Sequence, residues 1–228
     1  MNLPLLQLGD SALPIGGYSH SWGLEAAIAS ERVHDPASLE TWVRFWLRHG
    51  IGSFDAVLVA AACTAAQQED WSALVWLNTL LWAGSAPTRL RHASRDLGEQ
   101  LLGLAAAWAW AEASVTRMRA AMAEISETGQ WHHAIVFGTL AAAAGARSVD
   151  AVAVYLHQAA LGCISAGVRA IPIGHTHGQQ VLVRLHDEIS ALAEDFAARE
   201  PETAGSFSAA YEVFCHEQSR LYTRLFRS

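Results

Sequence analysis

The sequence predicts an all-α fold, a single-domain bundle of about ten helices ending in a C-terminal tail helix. Three observations carry this. Alanine and leucine together number 69 of 228 residues against 33 for valine, isoleucine and threonine, a bias toward side chains that lose little entropy in a helix. The six prolines, at 4, 14, 36, 87, 172 and 201, leave long uninterrupted stretches, and Pro36 and Pro87 stand where helices begin. Within those stretches apolar residues recur in steps of three and four, the period of one buried helix face.

A short first helix leads into a turn at Pro14 and Gly16-Gly17, and a second helix follows it. After Asp35, Leu39, Trp42, Val43, Trp46 and Leu47 line one face of a helix that stops at Gly50, behind Arg48 and His49. Ser53 reads as the cap of the next, whose stripe is Phe54, Val57, Leu58, Ala61 and Ala62. Asp70 opens a third, carrying Trp71, Leu74, Val75, Leu81 and Trp82 to Gly84, and the three are expected to pack antiparallel. Residues 88–113 read as one helix, apolar all round over 101–111 and therefore central. Residues 131–144 and 149–169 look similar. In the latter, Val152, Leu156, Ala159, Ala160, Cys163 and Ile164 form the stripe, and Gly162, Ala166 and Gly167 permit close approach of a neighbour. Leu182, Leu185, Ile189, Leu192 and Phe196 mark the seam of a further helix of about 20 residues.

These elements make a core over residues 1–199, a linker over 200–208 (EPETAGSFS), and a tail helix over 209–228. The stripe of the tail, Phe207, Tyr211, Phe214, Gln218, Leu221 and Leu225, lies apart from Arg220, Arg224 and Arg227.

Charge and composition exclude much. Fifteen Lys plus Arg, every one of them arginine, face 22 acidic residues, for a net charge of −7. Without lysine there is no phosphate-loop lysine, no Schiff base and no kinase lysine, so nucleotide chemistry has to come from a partner. The acidic balance argues against a nucleic-acid ligand. Cys63, Cys163 and Cys215 are far apart and odd in number, which encodes neither a disulfide framework nor a CxxC site and fits a reducing, cytoplasmic setting. No basic leader precedes MNLPLLQLGD, and the longest apolar run, 101–111, is far below the ~20 residues that cross a bilayer, so a soluble protein with no membrane partner is expected.

Three segments stand out as candidate sites. Residues 10–25 (DSALPIGGYSHSWGLE) are dense in glycine and serine, but carry no GxGxxG or GK[ST] and lack the second glycine of a nucleophile elbow; a packed turn is favoured. His175 and His177, between Gly174 and Gly178, could converge on a metal if the backbone there is extended, with His186 or a cysteine as a third ligand; the bland reading is an exposed loop. His132-His133 is weaker, since neighbours on a helix point about 100° apart. The acidic stretch Asp187, Glu188, Glu194, Asp195, Glu200 and Glu202 reads as a solvated face onto which the arginine tail could fold, and the same tail could equally dock on another protein. Most of the nine tryptophans fall on helical stripes and read as core.

Three motifs in order, LLQLGDSALPIGGYSHSWGLE, AIPIGHTHGQQVL and SRLYTRLFRS, resemble the UreF family of urease accessory proteins, and the resemblance covers nearly the whole chain. It implies an all-α, non-enzymatic assembly factor in the cytosol. Such a factor bridges a UreD (UreH) scaffold and the GTPase UreG during nickel insertion into apo-urease, as a homodimer in the complex, with no tightly bound cofactor and only transient nickel. In the first motif Asp10, Ser11, Pro14, Gly16, Gly17, His20, Ser21, Gly23 and Glu25 match, and the resemblance implies a structured turn near the partner surface. The contact with UreD maps onto Arg220, Leu221, Tyr222, Arg224, Leu225 and Phe226. The middle motif departs from the family pattern at His175 and His177. A metal-dependent helical hydrolase built on those two histidines is the alternative reading, and a helical DNA-binding regulator a third.

Overall fold

The computed structural model describes residues 1–126, 129–206 and 208–227. Among them the chain forms eleven α-helices, short 3-10 turns and one π-helical turn, with no strand. Its accessible surface, 10664 Å², is close to the roughly 10,100 Å² expected of a folded chain of this mass.

Four of the helices begin where a side chain accepts a free backbone N–H of the first turn. Asn2 Oδ1 accepts from Leu5 N at 3.1 Å at the head of α1, Leu3–Leu8. The second helix, α2, is Leu24–Ala29. Asp35 forms a capping box with Ser38 at the start of α3, Pro36–His49, which buries Leu39, Trp42, Val43, Trp46 and Leu47, the stripe the periodicity predicts. Asp70 accepts from Ala73 N at 2.9 Å to open α5, Trp71–Gly84.

Between α3 and α5 the structure departs from expectation. Ser53 is not a cap: the chain continues from α3 through a π-helical turn, Gly52–Ala56, into α4, Val57–Gln67. A Cβ on Gly52 would lie 1.8 Å from the Leu47 carbonyl oxygen and 2.4 Å from Phe196, so the wide turn closes around a position with no room for a side chain. The Ser53 hydroxyl instead donates to Gly205 O at 2.8 Å, and Gly205 N returns a bond to Ser53 O at 3.1 Å. The stretch read as a linker over 200–208 is thereby tied to the core at Gly205 and carries a short 3-10 turn, Pro201–Thr203.

The helix expected over 88–113 is two. α6, Thr88–Ala105, gives way to tight turns in which Trp108 and Trp110 stack at 5.2 Å, and α7 runs Glu112–Ala123. Local propensity yields to packing, because the break lets α7 fold back and bury Val115, Met118 and Met122. Then come α8, His133–Ala143, α9, Ser148–Ala170, and α10, His175–Ala197. α8 lies against α4 so closely that a Cβ on Gly138 would meet Val59 O at 2.4 Å. On α9 the close approach is at Gly167, under Leu39, whereas Gly162 faces open space.

The helical stretch Pro36–Gln67 and α9 are apolar and long enough to cross a bilayer by length and composition, which the run-length argument missed; 67% and 50% of their most apolar windows are buried inside the fold. The acidic stretch on α10 is not wholly solvated either. Glu188 is held by Arg44 and Arg48 of α3, while Arg184 reaches back to Glu40 at 2.6 Å. Arg199 pairs with Asp195. Trp42, Trp46 and Trp131 are buried as the stripes predict, whereas Trp76 is 44% exposed.

The expected tail helix over 209–228 is a helix only over Ala209–Gln218, α11, capped by Ser208. Past Gln218 the chain leaves helical geometry and lies across the core, because its backbone N–H groups find acceptors there. Phe207 and Ser228 fall outside the described residues.

Candidate functional site

The first and last motifs meet, and the residue just before the middle one joins them. In the first, Asp10 Oδ1 accepts from Ala12 N at 2.8 Å, a side-chain turn that starts the loop after α1. Gly16 is left-handed at φ 88°, and a 3-10 turn, Gly17–Ser19, follows with Ser19 Oγ donating to Gly16 O. Trp22 is also left-handed at φ 55°, unusual for so bulky a residue. Stacking holds it there, with His20 at 5.2 Å on one side and Trp46 at 6.2 Å on the other. Gly23, at φ 82°, is the glycine the packing requires, since a Cβ there would sit 3.0 Å from Cys215 Sγ and 3.2 Å from Cys215 N. Gly16 and Gly17 themselves lie in open space, with nothing within 4 Å of either Cβ position, and Gly17 has no positive φ.

Into this loop the tail is fastened. Gln218, 2% exposed, accepts at Oε1 from Ser21 Oγ (3.1 Å) and Gly23 N (3.0 Å) and donates from Nε2 to Glu25 at 3.4 Å. The Glu25 carboxylate, on α2, accepts the backbone N–H groups of Leu225 at 2.5 Å and Phe226 at 3.2 Å. Arg227 N donates to Ser19 O at 2.8 Å, and Arg89 of α6 donates to Arg227 O at 3.3 Å. From α9, the Arg169 guanidinium lies 3.5 Å from the Tyr18 ring centre and 4.7 Å from that of Phe226, while its Nε donates to Ser165 O. Burial, with Arg227 beside it, pushes the His20 imidazole down to about 4 against the pull of Asp96, so His20 is neutral near pH 7.

The six tail residues singled out by the motif therefore divide. Phe226 is buried on its own chain. Tyr222 and Leu225 are exposed, at 103% and 72%, and Arg224 points to solvent with them. Arg220 is exposed beside Glu217, and Leu221 is half-buried. Folding of the tail onto the acidic stretch of α10 is not what occurs; it closes on the first motif.

His175 and His177 are not on extended backbone. They occupy the first turn of α10, where residues two apart point about 200° from one another, and both are exposed. Gly174 N donates to His177 Nδ1 at 3.4 Å, so His177 helps cap its own helix. No group of three or more His, Cys, Asp or Glu that could hold a metal ion occurs among the described residues, so the third ligand that the hydrolase reading needs is not brought to these two.

Sequence reasoning missed a second polar cluster. Asp55 on the π-helical turn, Tyr155 on α9 and His133 on α8 line one cavity, with Tyr155 Oη 3.4 Å from Asp55 Oδ1 and the His133 and Tyr155 rings 5.5 Å apart. Burial pushes the Asp55 carboxyl up to about 7 and the His133 imidazole down to about 4. An aspartate inside an apolar run was the available signal. Neighbouring His132 is fully buried, its N–H donating to Asn78 and its Nδ1 3.1 Å from Ser94 Oγ, and is pushed down to about 3. The three cysteines are free and buried, Cys215 with its thiol pushed up to about 12.

The UreF family model matches residues 33–186. Relatives align over nearly all of the chain, including the two end motifs beyond that span. The urease accessory protein UreF of Nostoc sp. is 30% identical over 228 residues, 99% of this chain and 95% of its own. That of Dechloromonas aromatica is 31% identical over 98% of this chain and 96% of its own. That of Granulibacter bethesdensis is 34% identical over 98% and 92%. With a family model over more than half its length and a 34% identical relative over nearly all of it, this chain belongs to the UreF family of urease accessory proteins.

Proposed function

We infer that the chain acts in urease maturation as a non-catalytic assembly factor. It bridges a UreD (UreH) scaffold and the GTPase UreG, as a homodimer in the complex, so that nickel passes into apo-urease in the cytoplasm. The observation that carries this is the tail clasp, in which the core holds the end of the tail by the backbone of Leu225, Phe226 and Arg227 and leaves Tyr222, Arg224 and the Leu225 side chain standing free on the surface. Aromatic and arginine side chains held in place on a fixed backbone lose little entropy on docking, which is what an interface anchor needs. The absence of lysine fits a chain that leaves GTP chemistry to its partner. The open geometry of His175 and His177 fits transient rather than resident nickel.

A pull-down of the full chain with UreD and UreG tests this. Retention of UreG only when UreD is present, lost on replacing Tyr222, Arg224 and Leu225 by alanine, supports the bridging role. Retention of neither partner by the wild-type chain overturns it.

A further inference from the structure

We propose that the cavity between the first motif and the π-helical turn is a binding site for an organic cation, an ammonium or guanidinium on a short apolar stem, with Asp55 as its counter-ion.

The cavity has a volume of about 340 Å³, enough for a small organic molecule. Its walls are mainly apolar, with Leu13, Ile15, Trp22, Trp46 and Phe54 among them. Trp22 and Trp46 stack on one another within 22° of parallel and both line the space, adding to its apolar wall. Asp55 sits on the π-helical turn and lines the cavity together with His133 of α8 and Tyr155 of α9, whose hydroxyl is 3.4 Å from its carboxyl.

The charge inventory decides the ligand. Asp55 has no Arg or His within ion-pair distance among the described residues, and its hydrogen bonds there are the long contact from Tyr155 and one from its own backbone N–H. A carboxylate accepts at about four positions, so this one is left with acceptor capacity and no cation. The other charged groups lining the cavity are Asp10, Glu212 and Arg169, and the Arg169 guanidinium is already engaged between Tyr18 and Phe226. The lining His133 is neutral near pH 7, and its Nε2 has no hydrogen-bond partner. An anion would meet three carboxylates here, whereas a nitrogen cation would restore Asp55 to its charged form and lay its stem against the tryptophans.

The same chemistry can come from a free amine or guanidine, or from a lysine or arginine side chain of a partner protein. Calorimetric titration of the full chain with n-butylguanidinium and with N-butylurea, its uncharged analogue, tests the site, followed by the same titrations on Asp55→Asn. Wild type should prefer the cation by about tenfold or more, the worth of one charge-assisted hydrogen bond, and the variant should lose that preference. Equal affinity of wild type for the two probes overturns the proposal without reference to any variant, and so does undiminished cation binding by Asp55→Asn. The two sources are separated with UreD present: if the cation belongs to that partner, n-butylguanidinium competes with complex formation and Asp55→Asn weakens it by a similar factor, whereas a free ligand leaves the complex unchanged. Failure of the pull-down above would not touch this result, because the probe titration needs no partner.

Discussion

The Glu25 carboxylate accepts the backbone N–H of Phe226 at 3.2 Å across 201 residues of chain, so the second helix and the last described residues form one unit. Leu225 and Gln218 donate to the same carboxylate. Replacing Glu25 by Ala leaves these donors without their acceptor, at roughly 1–3 kcal/mol for each buried one. The expected outcome is local release: amide hydrogen exchange over residues 219–227 accelerates while α4 and α8 keep their protection. Unchanged exchange in the tail would mean that Phe226 and Arg169 hold it without Glu25.

Tyr222 and Phe226 should behave oppositely. Phe226→Ala empties a buried aromatic position and costs roughly 3 kcal/mol of tail docking, read as faster exchange at Leu225 and Arg227. Tyr222→Ala removes a fully exposed ring and should leave the melting temperature within about 1 °C while weakening partner binding. A destabilised Tyr222→Ala protein would contradict the outward placement.

Gly23→Ala should be the damaging glycine substitution in the first motif. Its φ of 82° and the 3.0 Å approach of Cys215 Sγ combine strain with a clash, at roughly 1–3 kcal/mol. Gly17→Ala, with ordinary φ and open space, should be silent, and Gly16→Ala should cost about 1 kcal/mol for its left-handed φ alone. Thermal melts of the three rank them directly.

Stability should fall as the solution is acidified from the ordinary histidine range toward pH 4. His20, His132 and His133 are held neutral, at about 4, 3 and 4, so between about 6.5 and those values the unfolded chain binds more protons than the folded one. Asp55 acts in the other sense: with its carboxyl raised to about 7 from 3.8, the folded chain binds the extra proton across that window, and acid favours folding. Three imidazoles against one carboxyl leave a net loss of stability in acid. Asp55→Asn, which removes the opposing group, should steepen the fall, as melts between about pH 7 and 4 would record. A shallower slope in that variant would place the raised carboxyl elsewhere.

Replacing His175 and His177 by Ala should leave the fold and nickel affinity nearly unchanged, since the two imidazoles diverge from the first turn of α10 and are exposed. Equilibrium dialysis against nickel, before and after substitution, checks this.

Where the sequence carries a period and a cap, it could be read. The buried face of α3, its start at the Asp35 box and the start of α5 at Asp70 are local facts of propensity and hydrogen bonding, and they survive into the structure; the buried face of α5 is Leu74, Leu77, Asn78 and Leu81, so of the predicted stripe only Leu74 and Leu81 are fully buried. The tail was half legible. Its apolar stripe said that it must dock, but the acceptor, Glu25, lies two hundred residues away, and no local rule links a carboxylate to backbone N–H groups at that distance. Phe226 shows the limit: the resemblance set it beside Tyr222 as a partner contact and the helical stripe left both out, yet the helix stops at Gln218, Phe226 is buried on its own chain and Tyr222 is fully exposed. Ser53 shows another, since a serine before an apolar stripe looks like a cap whether or not the preceding helix has ended. Asp55 was passed over because the π-helical turn on which it sits depends on Phe196 and the Leu47 carbonyl crowding Gly52.

The clasp at Glu25 grips peptide groups, which every residue but proline possesses. Retention of the tail and recognition by it are thus written in different chemical alphabets on the same few residues. The side chain at position 225 contributes nothing to the bond its own N–H makes, so it can drift in step with a partner's surface while the strand stays where it is. Variation there should track whichever protein reads the strand, and position 25 should tolerate almost none.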